Sequence, residues 1–362
     1  DALPISEFTE EWKAEQLDNI ATLSKGIGIS KEQLSEDGEP CILYGELYTK
    51  YKSEIIKQVE SKTDINGSKL KRSKANDVII PCSGETAVDI ATARCVPFDN
   101  ILFGGDLNVI SLHQYDGAFM SYQLNGKRKY DIARVAQGVS IVHLYGEHLK
   151  AIKTYNPTLP EQQKIAKLLS LLDDRIDTQN KIIEDLKKLK SAISERLFKS
   201  VKGFTVLLSD LCDIVKGKQI NGENLSDSGN YYVMNGGTEP SGYYDNYNVE
   251  ASTISISEGG NSCGYVQFNT SPFWSGGHCY SIQNIADKVD NMYLYHYLKS
   301  NEDAIMKLRI GSGLPNIQKK DLAMFKIIVP KIEWQIKIST FLSSLERKAE
   351  IEERIQNVMQ KQ

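Results

Sequence analysis

The sequence predicts an α+β chain written twice: a globular part of mixed short strands and helices, then a long helix, then both again. Three observations predict it. Segments recur in one order at nearly one offset. Short apolar runs sit between Gly, Asn and Ser clusters, as strands do. Two stretches carry a narrow apolar stripe with steps of three and four residues.

The repeat comes first because it organises everything else. Leu17, Ile20, Leu23, Lys25 and Gly26 recur as Leu208, Leu211, Ile214, Lys216 and Gly217, at an offset of 191. Ser83-Gly84 stands at the place of Glu258-Gly259, 175 on. Phe103-Gly104-Gly105 through Ile110 matches Ser275-Gly276-Gly277 through Ile282, 172 on. Phe119–Leu124 aligns with Tyr293–Leu298 at 174, and Leu149, Lys153 and Pro157 match Leu322, Lys326 and Pro330 at 173. Gln162, Lys164, Ile165, Leu169 and Leu172 match Gln335, Lys337, Ile338, Leu342 and Leu345 at the same offset. Each match is weak alone, but their common order indicates duplication. The parts are 1–157, 158–200, 201–330 and 331–362.

In the globular parts, Val78–Ile80, Thr253–Ile256 and Tyr280–Ile282 read as strands, and Phe119–Leu124 and Met292–Ser300 as helices. The pairs Gly236-Gly237 and Gly259-Gly260 read as turn residues. Thr158 and Glu161 have capping-box spacing, with Pro160 in the first turn, where its missing N–H costs nothing. The stripe then runs through Ile165, Leu169, Leu172, Ile176, Gln179, Ile183, Leu186, Lys190, Ile193 and Leu197. Such a narrow seam calls for a partner, and Ile338, Leu342, Leu345, Ala349, Ile355 and Met359 supply one, interrupted by Glu352. Gln179 and Lys190 either fix the register of the two helices or simply reach solvent. From Glu161 to Phe198 the first helix would span roughly 57 Å.

Bulk properties narrow the function. The 362 residues carry a net charge of −4, so a nucleic-acid surface must be local rather than global. No run of about 18 apolar residues occurs, and Asp1–Glu10 lack the features of a secretory signal. Six cysteines without a CxxC pair read as reduced thiols of a cytoplasmic protein. Cys263, His278 and Cys279 come nearest to a zinc set, but adjacent His-Cys is poor chelate spacing, and no metal is expected. Asn156-Pro157-Thr158-Leu159 lacks the second proline and the aromatic of an adenine-methylation motif, and it sits at a helix start. Phosphate-loop, nuclease and nucleophile-elbow patterns are not found, and the five histidines show no metal or triad spacing. No catalytic residue is assigned.

The helical motifs carry a family resemblance. Pro157-Thr158-Leu159-Pro160-Glu161-Gln162-Gln163-Lys164-Ile165-Ala166, then Leu168-Leu169-Ser170 and Leu172-Asp173, resembles the central helix of type I restriction-modification specificity subunits. Pro330, Gln335, Lys337-Ile338 and Phe341-Leu342-Ser343 resemble their distal helix. The Lys-Gly starts of each unit and the segments Phe103–Asp106 and Trp274–His278 fit as well. The resemblance implies two target recognition domains, each reading half of a bipartite site in double-stranded DNA. It implies that the helices pack as an antiparallel coiled coil with pseudo-twofold symmetry. It also implies a non-catalytic chain that docks two methyltransferase (modification) subunits, which bind S-adenosylmethionine, and restriction or translocase subunits beyond them. No cofactor is expected on this chain. Glu333-Trp334 in place of Pro160-Glu161 removes the second capping box, and the distal helix is expected to be shortened.

Reading DNA needs cations for phosphates and amide, guanidinium or aromatic groups for base edges. In the first domain the candidates are Lys62, Lys69, Lys71, Arg72 and Lys74, interleaved with Asn66, Gly67 and Ser68, and a cluster of Lys127, Arg128, Lys129 and Arg134. In the second they are Lys216, Lys218, Gln219, Asn235, Tyr243, Lys307, Arg309, Asn316, Gln318, Lys319 and Lys320, with Tyr244 and Tyr247 beside them. Any one of these lysines equally suits an ordinary solvated surface. The competing readings are a stand-alone or decoy DNA-binding protein, a coiled-coil interaction protein without a DNA role, and a fused enzyme fragment.

Overall fold

The computed structural model describes residues 11–361 apart from 66, 68 and 312. The readings made on Asp1–Glu10, Asn66 and Ser68 therefore lie outside the described residues. The chain divides into two compact units, with the boundary between residues 177 and 178. That boundary falls inside the helix Leu159–Ser200, not at its ends.

In the first unit, Asp77–Pro81 is buried along its whole length. Its alternate side chains explain why. Val78 and Ile80 pack with Ile110, Met120 and Leu124 on one face, while Ile79 packs with Val109, Ile42, Leu47 and Phe103 on the other. A strand covered on both faces reads as a continuous apolar run. It belongs to a four-stranded sheet in the order Ala21–Lys25, Leu107–Leu112, Asp77–Pro81, Arg94–Val96, antiparallel throughout. Glu39–Ile42 pairs in parallel with Leu102–Phe103, and Lys62–Thr63 and Lys71–Arg72 flank these two as the edges of a second small sheet. Lys13–Gln16 pairs with Lys153–Asn156, which leads the chain into the long helix.

The second unit repeats the plan. Its four-stranded sheet runs Asp213–Lys216, Cys279–Gln283, Thr253–Ser257, Val266–Asn269, again all antiparallel. Tyr231–Met234 pairs in parallel with Trp274–Ser275, and Phe204–Leu207 pairs with Lys326–Val329. Each sheet carries one capped helix. Asp116 caps Gly117–Asn125 by accepting from the Phe119 N–H at 2.7 Å, and Asp290 caps Asn291–Ser300 by accepting from the Tyr293 N–H at 2.7 Å.

Strand register corrects the repeat by one residue. Pro81 lies opposite Leu107, and Ser257 opposite Cys279, so Cys82 matches Glu258 and Ser83 matches Gly259. The 16 extra residues of the first unit then fall between Ile42 and Asp77. They build the strands Lys62–Thr63 and Lys71–Arg72.

The helices follow the predicted stripe with two exceptions. Leu172 is 49% exposed, and Asp173 takes its place facing the head, accepting from the Tyr122 hydroxyl at 2.5 Å. Ile355 is 42% exposed. The seam also serves the globular core. Ile338, Leu342 and Phe198 are buried in the core of the second unit, with Ile193 and Leu197 packed against it. Ile165, Leu169, Ile176, Leu186 and Leu345 are half-buried, and Ile183 and Ala349 are buried. Within the second unit the helix Ile332–Lys361 runs antiparallel to residues 178–200. Lys190 pairs with Glu346 at 2.5 Å, while Asn180, earlier on one helix, meets Gln356, later on the other. Gln179 donates to the Glu352 carboxylate at 2.7 Å, so the polar interruptions of the two stripes form one layer. At the head of the first helix, the Thr158 hydroxyl donates to the Glu161 carboxylate at 3.5 Å instead of closing the expected box. No helix of the described residues is long and apolar enough to cross a membrane.

Candidate nucleic-acid interface

Antiparallel pairing brings the C-terminal ends of two strands and the N-terminal end of a third to one edge of each four-stranded sheet. In the second unit this edge holds Lys216, Glu258 and His278. Glu258 is buried, and its two carboxylate oxygens reach outward to Lys216 Nζ at 2.5 Å and His278 Nδ1 at 3.3 Å. The ammonium and imidazole themselves are more than half exposed. Backbone bonds fix the carboxylate in place: the Glu258 N–H donates to the His278 carbonyl at 2.9 Å, and the Ile317 N–H donates to the Glu258 carbonyl at 2.8 Å. The Asn235 side-chain oxygen accepts from the His278 N–H at 3.2 Å. A Cβ on Gly276 would run into Asn235, and one on Gly277 into Gln219, so these glycines serve close approach as well as turning.

The same edge of the first unit holds Lys25, Cys82 and Asp106. The Cys82 N–H donates to the Asp106 carbonyl at 2.7 Å, and the Leu144 N–H donates to the Cys82 carbonyl at 2.8 Å, as at Glu258. Cys82 is buried, and burial pushes its thiol up to about 11. Asp106 is exposed in the left-handed region at φ 59°, and Lys25 Nζ lies 5.8 Å from the Tyr145 ring centroid. A small hairpin borders each edge. Gln137 and His143 exchange two backbone bonds, at 2.9 and 2.6 Å, and Ile310 and Asn316 do the same at 2.8 and 3.0 Å.

The structure gathers Lys216, Gln219, Asn235 and Asn316 around this rim, and Lys218 borders it through a carbonyl that accepts from the Trp274 indole at 2.8 Å. Gln318 immediately precedes the short helix Lys319–Ala323 without a side-chain capping bond, and Lys319 and Lys320 on that helix are exposed. Lys307 and Arg309 are exposed just before the second hairpin. Tyr243 pairs through its backbone with Tyr232, Tyr244 packs edge-on against Trp274, and Tyr247 leans on Tyr231.

In the first unit, Lys62 lies on one edge strand of the small sheet and Lys71 and Arg72 on the other, with Lys69 and Lys74 exposed at either end of the latter. Arg72 is already engaged, forked onto Glu39 at 2.5 and 2.9 Å. In the other cluster, Arg128 and Arg134 both converge on Asp131, at 2.9 and 3.3 Å, while Arg128 also lies over the Tyr155 ring. Lys127 is exposed and Lys129 half-buried on the same segment. Cys263, His278 and Cys279 turn to three different groups and not to a common point: the Cys263 thiol donates to the Glu258 carbonyl, His278 meets the Glu258 carboxylate, and the Cys279 thiol turns to the Tyr280 carbonyl. All six cysteines are free and buried.

Sequence reasoning did not bring Lys25, Cys82 and Asp106 together in the first unit, or Glu258 and His278 with Lys216 in the second, although its repeat segments contain Lys25, Asp106, Glu258 and His278. It also missed what two matched glutamines do. Gln162 is buried; it accepts from the Asp116 N–H at 2.9 Å and donates to the Pro157 carbonyl at 2.9 Å. Gln335 accepts from the Asp290 N–H at 2.9 Å and donates to the carbonyls of Pro330 and Lys288 at 2.8 and 3.0 Å. Each locks the first turn of a long helix to the cap of its own head.

These features define a class: a tandem α+β chain in which each head is locked to the start of its own long helix and carries a polar rim on its main sheet. The model of the type I restriction modification DNA specificity domain matches residues 9–188 and 203–361, and the chain belongs to that family. It is 34% identical over 122 residues to a putative type I specificity subunit of Mycoplasma genitalium, covering 33% of this chain and 31% of the relative. It is 32% identical over 145 residues to one of Mycoplasma pneumoniae, covering 40% and 38%. These matches span about a third of the length of those curated relatives. A type I restriction enzyme specificity subunit of Methanocaldococcus jannaschii aligns over 97% of this chain and 90% of its own length at 23% identity. Among solved structures, the type I system S subunit of M. genitalium shares the fold at a TM-score of 0.71 and 19% identity, covering 99% of this chain and 95% of that one.

Proposed function

We propose that this chain is the DNA-reading subunit of a type I restriction-modification system, with each head addressing one half of a bipartite duplex site. The observation that carries this reading is one head architecture present twice, each copy matched by the specificity-domain model, with different polar groups on equivalent rims. A sheet edge rimmed by lysine, histidine, asparagine and glutamine side chains offers the donors and acceptors that base edges need. The chain itself supplies no chemistry. Two modification subunits bind S-adenosylmethionine and methylate adenine, restriction subunits join them, and the assembly works in the cytoplasm.

The test is selection from a random duplex library by the full chain reconstituted with its modification subunit. Enrichment of two short elements at a fixed separation is expected. A single continuous element would overturn the bipartite reading, and no enrichment would overturn it in favour of a protein that binds without reading.

A further inference from the structure

The equivalence of Lys25, Cys82 and Asp106 with Lys216, Glu258 and His278 has a chemical consequence. Both rims present a lysine at the same register position, opposite Asn108 in one unit and Tyr280 in the other. Their remaining charged groups are inverted. In the second unit the carboxylate is buried beneath the rim, and the exposed group above it is an imidazole held by that carboxylate. In the first unit the buried group is a thiol, and the exposed group is the carboxylate of Asp106. One rim therefore covers its carboxylate and turns a lysine donor outward, with the imidazole bonded to that carboxylate through Nδ1, while the other pairs a lysine with an exposed carboxylate acceptor.

Base edges distinguish these two arrangements. Guanine presents only acceptors in the major groove, N7 and O6, whereas cytosine and adenine present exocyclic amines that a carboxylate accepts from. We propose that these two rims are the specificity-determining positions of the heads: Lys216, oriented by Glu258, selects guanine in one half-site, and Asp106 selects an amine-bearing base, cytosine or adenine, in the other. Glu258 is a positioning residue in this scheme. It contacts Lys216 through one oxygen, is held by His278 through the other, and is itself covered, so it acts through the lysine. The inference rests on the bipartite reading above.

The experiment repeats the library selection with full-length Asp106→Asn, Asp106→Ala, Lys216→Ala and Glu258→Gln chains in the reconstituted complex. The wild-type chain serves as the control on the reading itself, since failure of its site to split in two would defeat that reading and not this assignment. Given a split wild-type site, Asp106→Ala should relax one position of one half by roughly tenfold or more, and Lys216→Ala one position of the other half by a similar factor. Asp106→Asn should shift its position toward bases that an amide tolerates. Glu258→Gln should weaken the same position as Lys216→Ala and leave the other half untouched. Unchanged preferences, relaxation in the wrong half, or loss of a whole half-site with the isosteric variants as well as with alanine would each overturn the assignment.

Discussion

The two heads differ least where they hold their helices and most where they face outward. Each builds the same four-stranded order, caps one helix with aspartate, and ties that cap to a glutamine five residues after a proline. Each then places a different trio on the edge of its sheet. The comparison separates two kinds of constraint. A buried polar tie must satisfy every donor and acceptor it covers, which leaves little choice of residue. A rim group faces water, so its chemistry is free to follow what it reads.

The glutamine ties are themselves unequal, and breaking them gives the largest effect expected. Gln335 makes three hydrogen bonds at its amide and Gln162 two. At about 1 kcal/mol for each buried bond left unmade, Gln335→Ala should destabilise the second unit by about 3 kcal/mol and Gln162→Ala the first by about 2 kcal/mol. Hydrogen exchange at the two capped helices of the full chain would measure both. Equal effects, or none, would show that water replaces the amide and that the ties do not hold the heads.

A second asymmetry lies where the capped helix meets the long one. Tyr122 in the first unit corresponds to His296 in the second. Tyr122 gives its hydroxyl to Asp173, while burial and that neighbouring carboxylate hold its pKa far above neutrality. His296 is buried, lies 2.9 Å from the Ser343 hydroxyl, and is pulled down to about 4 from an ordinary 6.5. Burial dominates this shift. Glu346 opposes it, Lys190 adds to it, and Asp290 opposes it weakly. Above pH 6.5 the imidazole is neutral in folded and unfolded chains alike, and its contribution is fully present. Between about 6.5 and 4 the unfolded chain takes up a proton that the folded one refuses, so stability falls as pH falls. The loss should reach about 3 kcal/mol near pH 4 in the second unit. His296→Gln should flatten the profile there, and the first unit should show no matching slope from Tyr122. Unfolding curves over that pH range, followed by exchange in each unit, would decide.

The sequence made the frame legible because duplication doubles weak signals. The strands at Val78–Ile80, Thr253–Ile256 and Tyr280–Ile282, the helices at Phe119–Leu124 and Met292–Ser300, and both long helices were readable from spacing. Register was harder to read: the match of Ser83-Gly84 to Glu258-Gly259 is one residue out, because glycine pairs align with each other more readily than cysteine with glutamate. Leu172 misled for a related reason. An apolar residue at the right spacing looks like seam, yet a carboxylate one position on can take the inward place when a tyrosine hydroxyl waits for it. Of the candidate site, the lysines stood out by type. Asp106 and Glu258 did not, because a search for DNA contacts favours cations, and only strand pairing shows that a carboxylate underlies one rim and tops the other.

The insertion between Ile42 and Asp77 is where the heads differ most in size, and it gives the smallest and most selective prediction. It builds the edge strand Lys71–Arg72, so the first head carries cations that the second lacks. They are not equivalent. Arg72 is forked onto Glu39, which holds its guanidinium as a brace between strands and raises its pKa further, whereas Lys69 is exposed beside it. If the lysines meet phosphates, Lys69→Ala with Lys71→Ala should lower the slope of log affinity against log salt by about two. Arg72→Ala should leave that slope unchanged, because it removes a charge already matched within the protein. Binding isotherms of the reconstituted complex at several salt concentrations would test this. A slope that falls with Arg72→Ala alone would mean that Glu39 releases the arginine to DNA, making the pair a contact that is exchanged on binding instead of a brace.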